Sequence, residues 1–228
     1  MPLNYIWGDS IGQGIYYRED IGRYRISRRN CVQLLRESGL EIESHAIMGC
    51  TVEKGLEDFC ASETVPGGVC VIEYGGNDCD LDWQAVSDKP ETYHEAKVPL
   101  DVFREKLRSF VRGAAERQLR PVLITPPPIL SGRYFSWVAE GKSAENILRY
   151  LGDREHISRW QERYASAVRD VSEQEGCRLL DIRSRLLDER DLPSLMSADG
   201  IHPNEKGYAV MADCFLKMLG MGREKNAG

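Results

Sequence analysis

Two short segments near opposite ends of the chain carry residue types that together could transfer an acyl group. Gly8-Asp9-Ser10 sets a serine hydroxyl between a short apolar run and two further glycines, Gly12 and Gly14. Asp199-Gly200-Ile201-His202-Pro203 sets a carboxylate three residues before an imidazole, with a proline behind it. A serine hydroxyl is a weak nucleophile that needs an adjacent base, and the base needs an orienting group. Ser10 is therefore the candidate nucleophile, His202 the candidate base and Asp199 its orienting carboxylate. Pro203, at the start of a helical stretch, would stiffen the loop. Acyl transfer also builds an oxyanion, which needs hydrogen-bond donors already in place. The Ser10 amide, the Gly49 amide and the side chain of Asn77, in Gly75-Gly76-Asn77-Asp78, are the candidate donors. Alone, each segment has a commoner structural use as a turn, a loop or a helix cap. Their joint occurrence at the ends of consecutive elements is what points to chemistry.

Other patterns fall short of a site. Gly12-Gln13-Gly14 lacks the third glycine of a dinucleotide loop, because Tyr17 stands there, and Gly141-Lys142-Ser143 lacks the upstream glycine of a phosphate loop. Cysteines and histidines show no metal-ligand spacing, so no metal is expected. His45, in an apolar run, reads as a packed histidine and His94 as a solvated one. His156 and Trp160, four apart on one helix, read as surface packing, with a place at a pocket mouth as the alternative. Cys50 and Cys79 read as small hydrophobes beside the motifs, and Asp9 as an organiser of the serine turn. Tyr134, Phe135, Trp137 and Trp83 are candidate substrate-binding aromatics, or equally a small core beneath a long connection.

These residues need elements to hold them. Short apolar runs at 3–7, 42–48, 69–74, 121–125 and 177–182 read as strands, and stretches at about 28–38, 52–60, 99–118, 153–175 and 203–219 read as helices. Alternation of this kind predicts an α/β fold with a parallel sheet of about five strands and helices on both faces. In such sheets ligands bind beyond the carboxyl ends of the strands, where Ser10, Gly49 and Asn77 would stand. Residues 126–152 carry no clear strand or long helix. The chain is accordingly expected to be a single domain over 1–228 with a long loop insertion there, covering the site and limiting it to short acyl groups.

Composition narrows the partners. The 228 residues are 42% hydrophobic, and 30 cationic against 36 anionic side chains give a net charge of −6. That charge argues against nucleic acid, and the lack of a long apolar run argues against stable membrane association. Seven dispersed cysteines, in a chain whose opening residues carry no export signal, suggest free thiols and a cytoplasmic setting. A small-molecule ester is the expected partner, and self-association is left open.

The four segments Gly8–Ser10, Gly49, Gly75–Asp78 and Asp199–His202 resemble the motif set of the SGNH hydrolase superfamily, the GDSL-type esterases and lipases. The resemblance spans nearly the whole chain. It implies a three-layer α/β/α, flavodoxin-like fold and serine ester hydrolysis without a cofactor. It further implies Ser10, Asp199 and His202 as the catalytic triad, with Ser10, Gly49 and Asn77 as the oxyanion hole. The expected reaction is hydrolysis of a small, short-acyl ester, with an acetylated carbohydrate as the favoured class. An acyltransferase, thioesterase or lysophospholipase using the same triad is the alternative, and a non-catalytic binding module is a third.

Overall fold

A computed structural model describes residues 2–221. Its strands are β1 (Asn4–Gly8), β2 (Ile15–Arg18), β3 (Arg23–Ile26), β4 (Ile42–Ser44), β5 (Val69–Glu73), β6 (Arg120–Ile124) and β7 (Arg178–Leu180). The helices are α1 (Ser10–Gln13), α2 (Cys31–Glu37), α3 (Val52–Ala61), α4 (Trp83–Asp88), α5 (Leu100–Glu116), α6 (Ser131–Ala139), α7 (Ala144–Leu151), α8 (His156–Glu175), α9 (Ile182–Leu187) and α10 (Glu205–Met218). Five strands form one parallel sheet in the order β4-β1-β5-β6-β7. This is the three-layer α/β/α arrangement expected from the alternation of elements.

The inner strands are apolar on both faces because helices cover both. Tyr5, Trp7, Cys70, Ile72 and Leu123 point to one side, against Phe59 of α3, Phe103, Leu107 and Phe110 of α5, and Tyr164 and Val168 of α8. Ile6, Val69, Val71, Val122 and Ile124 point to the other, against Leu35 of α2 and Tyr208, Met211 and Phe215 of α10. Each large side chain buried in this way contributes about 1.5–3 kcal/mol relative to exposure. The strand read at 42–48 is shorter as β4, yet its pairing continues loosely: the His45 and Ile47 amides still donate to the Ile6 and Gly8 carbonyls, at 2.8 and 3.0 Å. His45 is packed as expected, its ring stacked on Trp7 at 4.4 Å.

Two features were not legible. Residues 126–152, read as a long loop insertion with no clear strand or long helix, contain the short helices α6 and α7, nine and eight residues long. Ser131, Gly132 and the aromatics Tyr134, Phe135 and Trp137 are indifferent helix formers, so α6 owes its helix to packing. Residues 15–26 form an antiparallel hairpin outside the main sheet, in which Tyr17 pairs with Tyr24. The face carrying these two tyrosines packs on Trp137 of α6, with Tyr17 and Trp137 rings 4.6 Å apart.

The loop bearing Asp199 and His202 is clamped from two sides. A backbone bridge joins Met196 to Pro203, and the Ser197 amide donates to the His202 carbonyl at 2.7 Å. Gly200, at φ +79°, lies against α6, where a side chain would meet the Leu130 carbonyl and the Tyr134 amide at 2.9 Å. Behind the loop, Gly207 in the first turn of α10 lets the Leu195 carbonyl approach so closely that a Cβ would sit 2.4 Å from it. Gly207→Ala should therefore cost about 1–3 kcal/mol by overpacking, against a helix propensity that favours alanine. Thermal denaturation followed by circular dichroism should show the midpoint falling by several degrees; a rise would mean that this approach does not constrain the loop.

Candidate active site

The sheet order places a topological switch between β1 and β5, whose neighbouring connections leave toward opposite faces. Open α/β sheets form ligand crevices at such points. The turn after β1 and the loop after β5 meet there. Ser10 is the first residue of α1, and Asp9 caps that helix by accepting from the Ile11 amide at 2.8 Å. The loop after β5 is tied down by Asp78, whose carboxylate accepts from the Gly75 amide at 2.9 Å and the Val52 amide at 2.8 Å. Burial pushes the Asp78 carboxyl up to about 7 against the pull of these two amides.

The three residues expected to act as a relay are together, although Ser10 and His202 stand at opposite ends of the chain. Ser10 Oγ lies 2.8 Å from His202 Nε2, and His202 Nδ1 lies 2.6 Å from Asp199 Oδ2. Asp199 also accepts from the Ile201 and His202 amides, which closes the loop on its own carboxylate. Burial opposes the Asp199 charge, but the hydrogen bond and charge of His202 outweigh it and hold the carboxyl below its usual range. Aligned in this way, the imidazole can take the Ser10 proton while the carboxylate stabilises the resulting cation.

The expected donors Asn77 and Gly49 lie at the same cavity as Ser10 and His202, one of about 320 Å³. One Asn77 amide hydrogen is held by Asp9 Oδ2 at 2.9 Å, which fixes the plane of the group and leaves the other free for an oxyanion. Among the described residues no group of three or more His, Cys, Asp or Glu is placed to hold a metal ion.

A second cavity, of about 340 Å³, runs from Ser10 between the loop after β5 and residues 126–160. Trp83 and Tyr134 line both cavities. Asp80 orients these two side chains by accepting from Trp83 Nε1 and the Tyr134 hydroxyl, each at 2.8 Å. Trp137 lines the smaller cavity, on the Gly49 side. Phe135 lines neither cavity at Ser10: it points to the opposite side of α6, buried in the core with the Arg154 guanidinium 4.9 Å from its ring. On a helix, adjacent residues face different ways, and three aromatics spaced 134, 135 and 137 cannot share one wall.

His156 and Trp160 line the larger cavity rather than lying on an outer surface, and Trp160 Nε1 donates to the Cys79 carbonyl at 2.7 Å. Gln161, in the same wall, bridges the Pro127 carbonyl and the buried Arg183. The sequence reading also missed Tyr24, whose ring meets His202 edge-on at 5.2 Å from the hairpin. A run of aromatic and β-branched residues on either side of Gly22 was the available signal for that hairpin.

Comparisons with known proteins bear on this geometry. The model of the GDSL-like lipase/acylhydrolase family matches residues 6–210. No curated protein sequence matches the chain. Among solved structures, a lipase/acylhydrolase from Enterococcus faecalis is 19% identical, with complete coverage of both chains and a TM-score of 0.67. An α/β hydrolase enzyme from the metagenome of Lake Arreo, Spain, is 21% identical over 98% of this chain and 97% of that one, with a TM-score of 0.66. An acetyl xylan esterase from Geobacillus stearothermophilus is 20% identical over 99% of this chain and 97% of that one, with a TM-score of 0.67. At such identities the likeness is one of fold, whereas the family match extends over most of the chain. The chain belongs to the GDSL-like lipase/acylhydrolase family, a family of carboxylic ester hydrolases.

Proposed function

We propose that this chain acts as one catalytic unit that hydrolyses small, short-acyl esters through Ser10, His202 and Asp199. The observation that carries the reading is the continuous hydrogen-bonded line from Ser10 Oγ through His202 to Asp199 at the head of an open cavity. In this mechanism Ser10 Oγ attacks the ester carbonyl carbon as its proton passes to His202 Nε2. The Ser10 and Gly49 amides and the Asn77 side chain receive the oxyanion. Collapse expels the alcohol, which takes the proton from His202, and a water molecule then repeats the sequence to release the acid.

The substrate class follows from the walls. A volume of about 340 Å³ lies near the lower end of the range for small-molecule sites, about 300–1,000 Å³. The segment containing α6 and α7 covers it and excludes water, which favours acetyl to butyryl groups over long chains. The faces of Trp83, Tyr134 and Trp160, interleaved with Asp80, Gln161 and His156, suit an alcohol half with alternating apolar and hydroxyl-bearing surfaces, such as a sugar. A protein named as an acetyl xylan esterase shares the fold. The same proposal places the protein in the cytoplasm, where individually buried thiols such as Cys31, Cys50, Cys70 and Cys79 stay reduced. Among the described residues no helix is long and apolar enough to cross a membrane.

Three measurements test this. A fluorophosphonate should label the wild-type protein on Ser10, as read by peptide mass spectrometry, and Ser10→Ala should lose both labelling and nearly all turnover of p-nitrophenyl acetate. Retention of more than a few per cent of turnover (about one part in thirty) would move the nucleophile elsewhere. Asp199 keeps its charge into the acid range, so the imidazole stays oriented there. His202→Ala should likewise lose nearly all turnover of p-nitrophenyl acetate, because Ser10 then has no base to take its proton; retained turnover would remove the histidine. Trp83→Ala should open the wall shared by the two cavities and shift preference from acetyl toward octanoyl esters, with a smaller effect on the melting temperature. Unchanged chain-length selectivity would take Trp83 out of the substrate site.

A further inference from the structure

The floor of the site holds a second buried acid that the proposed mechanism does not use. Glu73, the last residue of β5, is 1% exposed and lies directly beneath the serine turn. Its Oε2 accepts from the Asp9 amide at 3.3 Å and the Gly12 amide at 3.1 Å, one residue before Ser10 and two after it. Its Oε1 is buried without a hydrogen-bond partner. The Glu73 and Asp9 carboxyls are close enough for each to feel the other's charge.

Two adjacent carboxylates in a site this dry cannot both keep a charge, and sharing one proton resolves the conflict. The donors decide where it sits. Asp9 accepts at both oxygens, from the Ile11 amide at Oδ1 and from Asn77 Nδ2 at Oδ2, and it feels the His202 charge. Glu73 Oε1 accepts from nothing. A proton on this carboxyl lets it act as a donor and leaves a single negative charge below Ser10 instead of two. Burial, followed by the Asp9 charge, pushes the Glu73 carboxyl well above its usual range. The other ionisable groups that feel Glu73 are Tyr208 of α10, Cys31 of α2 and Tyr74 at the strand exit, all raised by burial and so neutral.

We propose that Glu73 is a positioning residue: as a neutral carboxylic acid it grips the serine turn through two amides and donates to Asp9, which in turn orients Asn77. Ser10 and the oxyanion donor are thereby referred to one buried group. The proposal rests on Ser10 being the nucleophile. It predicts a difference between two replacements. Glutamine keeps an acceptor for the two amides and a donor for Asp9 without any charge, whereas leucine keeps neither.

The test compares wild type, Glu73→Gln and Glu73→Leu by the rate of Ser10 labelling with a fluorophosphonate, by kcat and KM for p-nitrophenyl acetate across pH, and by melting temperature. Glu73→Leu should lower kcat and the labelling rate by about 10²-fold, the scale of a displaced reacting group, with KM little changed. Glu73→Gln should recover most of that loss, and any fall of the wild-type rate toward alkaline pH should be smaller in this variant, which has no carboxyl proton to give up. A glutamine variant as impaired as the leucine one would overturn the proposal, because the charge would then be required; so would a leucine variant with unaltered rates. If Glu73→Leu does not fold, the glutamine variant decides alone, since it can carry no charge. Labelling of the wild type at a residue other than Ser10 would instead overturn the esterase reading on which the proposal stands.

Discussion

Gly8 and Glu73 are partners in the ladder between β1 and β5, and the reactive groups are placed relative to that one backbone pair. The chain leaves β1 through Gly8 into Asp9 and Ser10, and leaves β5 through Glu73 into Gly75–Asp78. Because both strands are parallel, both exits are on the same edge, and because β1 and β5 are neighbours, the exits touch. A slip of one residue in either strand would turn its side chains to the opposite face. Trp7 would leave the aromatic layer of Phe59 and Phe110, and Glu73 would no longer reach the Asp9 and Gly12 amides. The packing of the core and the placement of Ser10 are therefore one constraint.

Charge is handled at this edge by matching each buried acid to its donors. Asp9, Glu73, Asp78 and Asp199 are all buried near Ser10. Asp199 has an imidazole and two amides, and keeps its charge. Asp78 has two amides and is drawn toward neutrality by burial. Glu73 has two amides on a single oxygen, and burial together with the Asp9 charge pushes it well above its usual range. Had all four been ionised, the developing oxyanion would have met concentrated negative charge in a low-dielectric setting.

A second frame holds the acid–base loop and the walls. Arg133 of α6 donates to the Pro193, Met196 and Ser197 carbonyls, so the covering segment also grips the chain leading to Asp199. The hairpin completes the enclosure by laying Tyr17 and Tyr24 on Trp137 and Tyr24 on His202. The covering segment and the loop of Asp199 and His202 are thus mechanically joined. A change in α6 that is aimed at substrate choice will also be felt at His202.

Sequence alone determined the alternation of strands and helices, and with it the parallel sheet, because apolar runs of strand length between amphipathic runs of helix length admit few other arrangements. It also singled out Ser10, Gly49, Asn77, Asp199 and His202, since their residue types and their places at element ends are local properties. Only the tertiary structure decided what is non-local. It found α7, a run of only eight residues, and α6, whose residues have little helix preference of their own and are ordered by the surfaces they cover. It turned Phe135 into the core and Trp137 toward Gly49, a matter of helix rotation that spacing could not fix while the helix itself was unrecognised. It brought His156 and Trp160 into the cavity wall and Tyr24 onto His202. Glu73 read as one more residue of a buried strand; its meaning arises from the β1–β5 register, which sets an acid of one strand beneath the turn that follows another.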